Sequence, residues 1–265
     1  ITGTYKLDEN VNVKGSAKTF SGAPLDGADV TYRVVRNGIF PHWCWYRWGY
    51  MPTSPEVEIT NGTAKTDDKG NFEINFFALS DKTVNNKFEP TFTYTVYVDV
   101  IDVNGETHSA NSYVSVSEKA LLLSTNLQGS ILKKDFKNIT INSTNLNGVF
   151  EASDVSVEIW DLEELNQFFV ERKWSAPEKH SLSEKEFKKL FPLETYANED
   201  HVRNWKKKTK VFDQTINTGK IKEIPIDFNV KQQSYFIYLT ATDKYGKKVE
   251  EMKYFRVIDN ESRQS

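Results

Sequence analysis

The 265 residues carry 34 Lys and Arg against 37 Asp and Glu, and the net charge of −3 excludes any general attraction to nucleic acid or anionic lipid. The single cysteine, Cys44, excludes an internal disulfide framework and a cysteine-based zinc site. No run approaches the roughly 18 apolar residues of a membrane-spanning helix, so direct membrane insertion is not expected.

The length favours two domains, and an all-β unit of about 130 residues buries a self-sufficient core. The chain opens at Ile1 directly in strand-like sequence with no signal peptide. The expectation is a segment of a longer exported protein whose targeting signal lies outside this sequence.

A first strand is expected near Ile1–Lys6. Asn10–Thr19 follows, with Val11 and Val13 on one face. The cluster from Gly22 to Gly27 reads as a turn. Ala28–Arg36 and Val57–Thr66 alternate as strands, and Asp67-Asp-Lys-Gly70 turns the chain back into Asn71–Phe77. Phe92–Asp102 and Glu106–Val116 form a hairpin around Val103-Asn-Gly105, whose Asn-Gly is a strong short-range hairpin signal. Seven short alternating strands point to an immunoglobulin- or fibronectin-like sandwich.

The plan then repeats. The stretch from Thr19 to Val34, with Asp29-Val30, matches Thr144 to Ile159, with Asp154-Val155, at an offset of 125 residues. Tyr94 to Gly105 matches Tyr235 to Gly246 at an offset of 141, and Tyr113–Val116 falls on Tyr254–Val257 at the same offset. Two separated matches in one order indicate duplicated domains, 1–117 and 118–259, joined at the short polar stretch Ser117-Glu-Lys119. The fold class is therefore all-β: two consecutive sandwiches, the second carrying a short helical insertion at about 162–208. Within it, Ser183 and Glu186 form a capping box, Phe187, Leu190 and Phe191 form an apolar stripe, and Pro192 ends the helix. Two readings of the insertion stand: a packed decoration over a sheet edge, or a contact surface. Lys206-Lys-Lys208 reads as a solvated face, not a phosphate site.

No residue pattern specifies catalysis, a cofactor or a metal. Nucleophile-elbow, phosphate-loop and His-Glu-x-x-His motifs are missing from the sequence, and His42, His108, His180 and His201 are scattered. Asp67–Asn71 and Asp102–Glu106 carry fragments of a calcium loop without its twelve-residue pattern, and read as hairpin turns. Cys44 has His42 nearby but no third group to orient a base. The most unusual segment is Phe40-Pro-His-Trp43-Cys-Trp45-Tyr46-Arg-Trp48-Gly-Tyr50-Met-Pro52. Its candidate residues are Trp43, Trp45, Tyr46, Trp48 and Tyr50. Such rings serve internal or interdomain packing, contact with a partner, or stacking on a carbohydrate.

Three stretches carry a family resemblance: Val11 to Arg36, Thr66 to Ile74 and Tyr97 to Thr107. Together they resemble macroglobulin domains of the bacterial alpha-2-macroglobulin family, and the likeness continues into the second copy, including the insertion from Trp174 to Phe191. The resemblance implies macroglobulin-type sandwiches from the middle of a long protease-trapping inhibitor. It implies a periplasmic or cell-surface location, with anchoring through an N-terminal lipoprotein signal outside this sequence. Expected partners are the neighbouring domains of the same full-length chain and, through the full-length protein, target proteases. The family thioester needs Cys-x-Glu-Gln, whereas Cys44 precedes Trp45-Tyr-Arg47, so neither a thioester nor a catalytic residue carries over. The alternative is an extracellular adhesin or carbohydrate-binding module that uses the aromatic loop Trp43–Tyr50.

Overall fold

The computed structural model describes residues 3–42, 44–45, 49–102, 105–165, 168–170 and 179–259. Its strands are β1 (Asn10–Ser16), β2 (Asp29–Ile39), β3 (Val57–Lys65), β4 (Asn71–Phe77), β5 (Thr91–Ile101), β6 (Thr107–Ser117), β7 (Leu121–Thr125), β8 (Ser130–Leu132), β9 (Asn138–Asn145), β10 (Asp154–Leu162), β11 (Lys207–Asn217), β12 (Glu223–Pro225), β13 (Ser234–Thr242) and β14 (Lys248–Ile258). A helix, α1 (Glu184–Leu190), lies in the connection between β10 and β11. The chain is all-β and builds immunoglobulin-like sandwiches. It divides into two compact units: 1–122 with 143–151 and 242–249, and 123–142 with 152–241 and 250–265.

In the first unit a four-stranded sheet, ordered β3-β2-β5-β6, faces the pair β1-β4. The alternation that marks these strands in the sequence is the alternation of burial. Phe92, Tyr94, Val96, Val98 and Val100 of β5 point inward, as do Phe72, Ile74 and Phe76 of β4. They meet Val11, Val13, Val30, Val34, Val114 and Val116 in one core. Successive strand residues point to opposite faces, so this period-two pattern leaves one apolar face to bury on each sheet.

The second unit repeats the order. Its larger sheet runs β11-β10-β13-β14-β8 and its smaller one β12-β9-β7. With β10 in the place of β2, and β13 in that of β5, the register coincides. Val30 pairs with Val100 in the first unit and Val155 with Ala241 in the second. These are the residues that the offsets of 125 and 141 superpose. Phe136, Tyr235 and Phe255 pack ring against ring in this unit, at 5.3–5.4 Å between neighbouring centroids.

Two devices recur. Asp67 Oδ1 accepts the backbone N–H groups of Lys69 and Asn71, and Asp243 Oδ1 accepts those of Tyr245 and Lys247. Gly70 and Gly246 complete these turns at φ of 75° and 81°, where a side chain is strained. The second device is a buried threonine. The Thr66 hydroxyl accepts the Ala28 N–H at 2.8 Å, and the Thr218 hydroxyl accepts the Ser153 N–H at 2.9 Å. Each threonine N–H returns a bond to the same partner's carbonyl.

One expectation changes in detail. The first strand, expected over Ile1–Lys6, is reduced among the described residues to a parallel bridge between Lys6 and Ser117. The insertion expected at about 162–208 is the connection between β10 and β11. The aromatic run occupies the corresponding connection, between β2 and β3. The two irregular segments are thus placed at one topological position.

Thr66→Val and Thr218→Val each leave a buried N–H without its acceptor. Each variant should lose roughly 1–3 kcal/mol in urea unfolding monitored within its own unit.

Candidate functional site

The connection between β2 and β3 is anchored from below. Phe40, Cys44 and Phe88 form a small buried cluster, with Val84 packed against it. Phe88 ends a 3-10 turn, Asn86–Phe88, in the connection between β4 and β5. The Tyr50 ring meets Phe88 edge-on at 6.3 Å. Cys44 is fully buried and its thiol approaches the Phe88 carbonyl at 3.8 Å. Burial pushes this thiol up, so the reactive thiolate is disfavoured and the residue packs as a small hydrophobe.

A charged network ties down the same end of the unit. Arg36 of β2 pairs with Asp81 at 3.2 Å, both side chains about nine-tenths buried. Ser54 donates to Asp81 at 2.7 Å and Thr83 at 2.6 Å. Arg36 and the Tyr94 hydroxyl both donate to the Leu79 carbonyl at 3.0 Å, and Arg36 Nε is left with no hydrogen-bond partner. The Ser54 and Thr83 hydroxyls, aided by the Arg36 charge and opposed by burial, hold the Asp81 carboxyl below its usual range. The network therefore joins the end of β2, the β2–β3 connection and the β4–β5 connection.

Above this anchor the aromatic run faces outward where it is described. Trp45 and Tyr50 are 56% and 52% exposed, with Ile39, Met51 and Val57 also exposed. The Gly49 N–H closes a turn onto the Trp45 carbonyl at 2.9 Å. Of the candidate residues, Trp43, Tyr46 and Trp48 lie outside the described residues. Exposed single rings of this kind are ordinary on a protein surface.

The insertion in the second unit packs on itself. Ser183 and Glu186 close the capping box of α1. The apolar stripe does not enter a sandwich core: no residue of α1 is buried. Phe187 instead meets Phe191 and Tyr196, and His180 stacks on Tyr196 at 3.9 Å. Leu190, Phe191 and Leu193 are exposed. The lysine run is exposed as expected, but Lys207 also sits over the rings of Phe236, Trp160 and Tyr238, at 4.1, 5.6 and 5.7 Å.

One grouping escapes sequence reading. Asp102, Glu106 and His108 bring a ligand atom each within 4.8 Å of one another at the β5–β6 hairpin. Glu106 and His108 lie two residues apart in an extended segment, a signal that spacing alone carries weakly. Asp102 accepts the Glu106 N–H at 3.0 Å, the same turn-forming role that Asp67 and Asp243 play without a histidine. A cleft of about 560 Å³ in the second unit is lined by Glu163, Glu164, Glu199 and Trp205. Glu164 accepts two bonds from Ser234, and Glu199 accepts the N–H groups of Tyr196 and Ala197. Burial opposes the ionisation of Glu199, but its own backbone N–H, those of Ala197 and Tyr196, and the Lys188 side chain together outweigh it and the pKa falls. That is the wrong direction for a general acid.

The sequence matches no family model and no curated protein. Similar solved structures include native alpha-2-macroglobulin of E. coli, at 11% identity and TM-score 0.36, covering 97% of this chain and 16% of that one. They include a mutant of Salmonella alpha-2-macroglobulin, at 10% identity and TM-score 0.36, covering 96% and 16%. The fibronectin(III)-like modules of Clostridium thermocellum CbhA align at 9% identity and TM-score 0.27, over 100% and 94%. The chain thus spans about a sixth of the length of those macroglobulins. At such identities and scores the fold class rests on the strand order itself.

Asp81→Asn leaves Arg36 buried without its counter-charge and should cost about 3 kcal/mol at pH 7 by urea unfolding. Because the folded pKa of Asp81 is depressed, its contribution is complete above the unfolded carboxyl value near 4 and fades as pH falls through the folded value. The stability gap between wild type and variant should therefore narrow below about pH 4.

Proposed function

We propose that this chain is a non-catalytic scaffold segment of a bacterial alpha-2-macroglobulin-like protease-trapping protein. Its two duplicated domains, 1–117 and 118–259, hold neighbouring domains of the full-length chain in place, and proteases are met by the whole protein in the periplasm or at the cell surface. The observation that carries the reading is the repeated strand order, with Val30–Val100 and Val155–Ala241 in equivalent register. Serial sandwiches of one plan are what a multidomain scaffold requires. The stretches Val11–Arg36, Thr66–Ile74 and Tyr97–Thr107 supply the family resemblance. The carboxylates that sequence reading weighed for metal binding, Asp67 and Asp102, are engaged as turn acceptors. Incubating the full-length parent with trypsin tests the proposal. Trapped trypsin should still cleave a small chromogenic peptide while a large protein substrate is spared. Inhibition of both substrates, or of neither, refutes the trapping role.

The exposure of Trp45 and Tyr50 favours a second reading, an adhesin or carbohydrate-binding module. Under it, a glycan array should show reproducible binding that Trp45→Ala reduces at least about tenfold, the loss of roughly 1.4 kcal/mol of stacking. An array without reproducible binding removes this reading.

A further inference from the structure

Among the described residues the smaller sheets of the two units differ by one strand. In the second, the smaller sheet has three strands, β12-β9-β7; in the first it has two, β4-β1. The equivalence of β1 with β9 is set by backbone bonds. The Leu25 N–H donates to the Ala17 carbonyl as the Glu151 N–H does to the Ser143 carbonyl, and the Thr19 N–H donates to the Ala23 carbonyl as the Asn145 N–H does to the Val149 carbonyl. Ala17 thus stands where Ser143 stands, and Lys14 where Thr140 stands.

In an antiparallel pair, alternate residues turn their N–H and C=O groups to the partner strand, and the residues between them turn theirs to the other edge. Ala78 N–H to Glu9 carbonyl at one end, and Ala17 N–H to Gly70 carbonyl at the other, assign the odd-numbered residues of β1 to β4. The backbone groups of Asn10, Asn12, Lys14 and Ser16 therefore face away from β4. On that edge the Asn12 carbonyl accepts the Tyr5 hydroxyl at 3.1 Å. Asn10, Lys14 and Ser16 are exposed. In the second unit the matching edge is filled. The Thr140 N–H donates to Asn126 Oδ1 at 2.9 Å, and the Asn126 N–H donates to the Thr140 carbonyl at 3.3 Å. Leu121 and Leu123 of β7 are buried while Leu122 is 49% exposed.

We propose that the open edge of β1 is a docking site for one further strand, supplied by the polypeptide immediately preceding Ile1 in the parent chain. The chain path identifies this occupant. Lys6 bridges Ser117 in parallel, as Leu132 pairs in parallel with Ile258, so Lys6 and Leu132 are equivalent across the duplication. In the second unit, β7 lies just upstream of Leu132 and reaches the edge of β9 through a connection of only four residues, Asn126–Gly129. The counterpart of β7 therefore falls directly ahead of Ile1. It should carry apolar residues at alternate positions, as Leu121 and Leu123 do, so that one face joins Val11 and Val13 over the core while backbone bonds engage Asn12, Lys14 and Ser16. An unpaired sheet edge is a template for an added strand.

Residue-resolved hydrogen exchange tests this on three chains: the 265 residues alone, with the ten preceding parent residues restored, and with a Gly/Ser extension of equal length. The restored residues should slow exchange of the Asn12, Lys14 and Ser16 amides by at least about tenfold, and the Gly/Ser extension should not. Unchanged exchange on restoring the parent residues overturns the proposal. Slow exchange in the unextended chain, accompanied by a dimer in sedimentation, also overturns it, since a second copy then closes the edge.

Discussion

The pairing of β2 with β5, and of β10 with β13, sets which side chains enter each core. Val30 opposite Val100, and Val155 opposite Ala241, place every second residue of these inner strands on the apolar face. A slip of one residue would turn Val96, Val98 and Val100 to solvent and bring Thr95, Tyr97 and Asp99 inward. The smaller sheets close onto these faces, and the threonine bonds at Ala28 and Ser153 hold the strand entries at the same point of each copy. The irregular connections are tolerated because this frame is complete without them.

Placing both long connections after the equivalent inner strand has a physical basis. β2 and β10 each lead to an outer strand of their sheet, β3 and β11. A connection to an outer strand can lengthen without breaking ladder bonds on both sides, and loop-closure entropy grows only slowly with length. What each connection then does depends on its own anchors. The first is held by Phe88 and by the Arg36–Asp81 pair; the second holds itself through Phe187, Phe191 and Tyr196. In both, apolar rings remain at the surface, at Trp45 and Tyr50 in one and at Phe191 in the other.

Charge is used unequally. The turn carboxylates Asp67 and Asp243 satisfy their own backbone, and among the described residues most ion pairs lie at exposed or half-exposed positions where such pairs contribute little. Arg36 and Asp81 stand apart as a buried pair, one whose desolvation cost is offset only by the convergence of Ser54, Thr83 and Leu79. That convergence makes the pair a constraint on loop position more than a source of net stability.

Much of this was legible in the residues. Period-two alternation located the strands, Asp-x-x-Gly located the hairpin turns, and Ser183 with Glu186 located the helix start, because each is a local relation between near neighbours. The repeated strand plan was legible as well, since the offsets of 125 and 141 carry the paired residues Val30 and Val100 onto the paired residues Val155 and Ala241. Tertiary structure alone decided the rest. Among the described residues it reduced the expected first strand to the Lys6 bridge. It sent Cys44 inward and Trp45 outward, and brought His108 beside Asp102 and Glu106. Those outcomes depend on Phe88, Asp81 and the β5–β6 pairing, partners distant in sequence or set by strand register, and no local pattern encodes which of two adjacent aromatic or polar residues such a partner will meet.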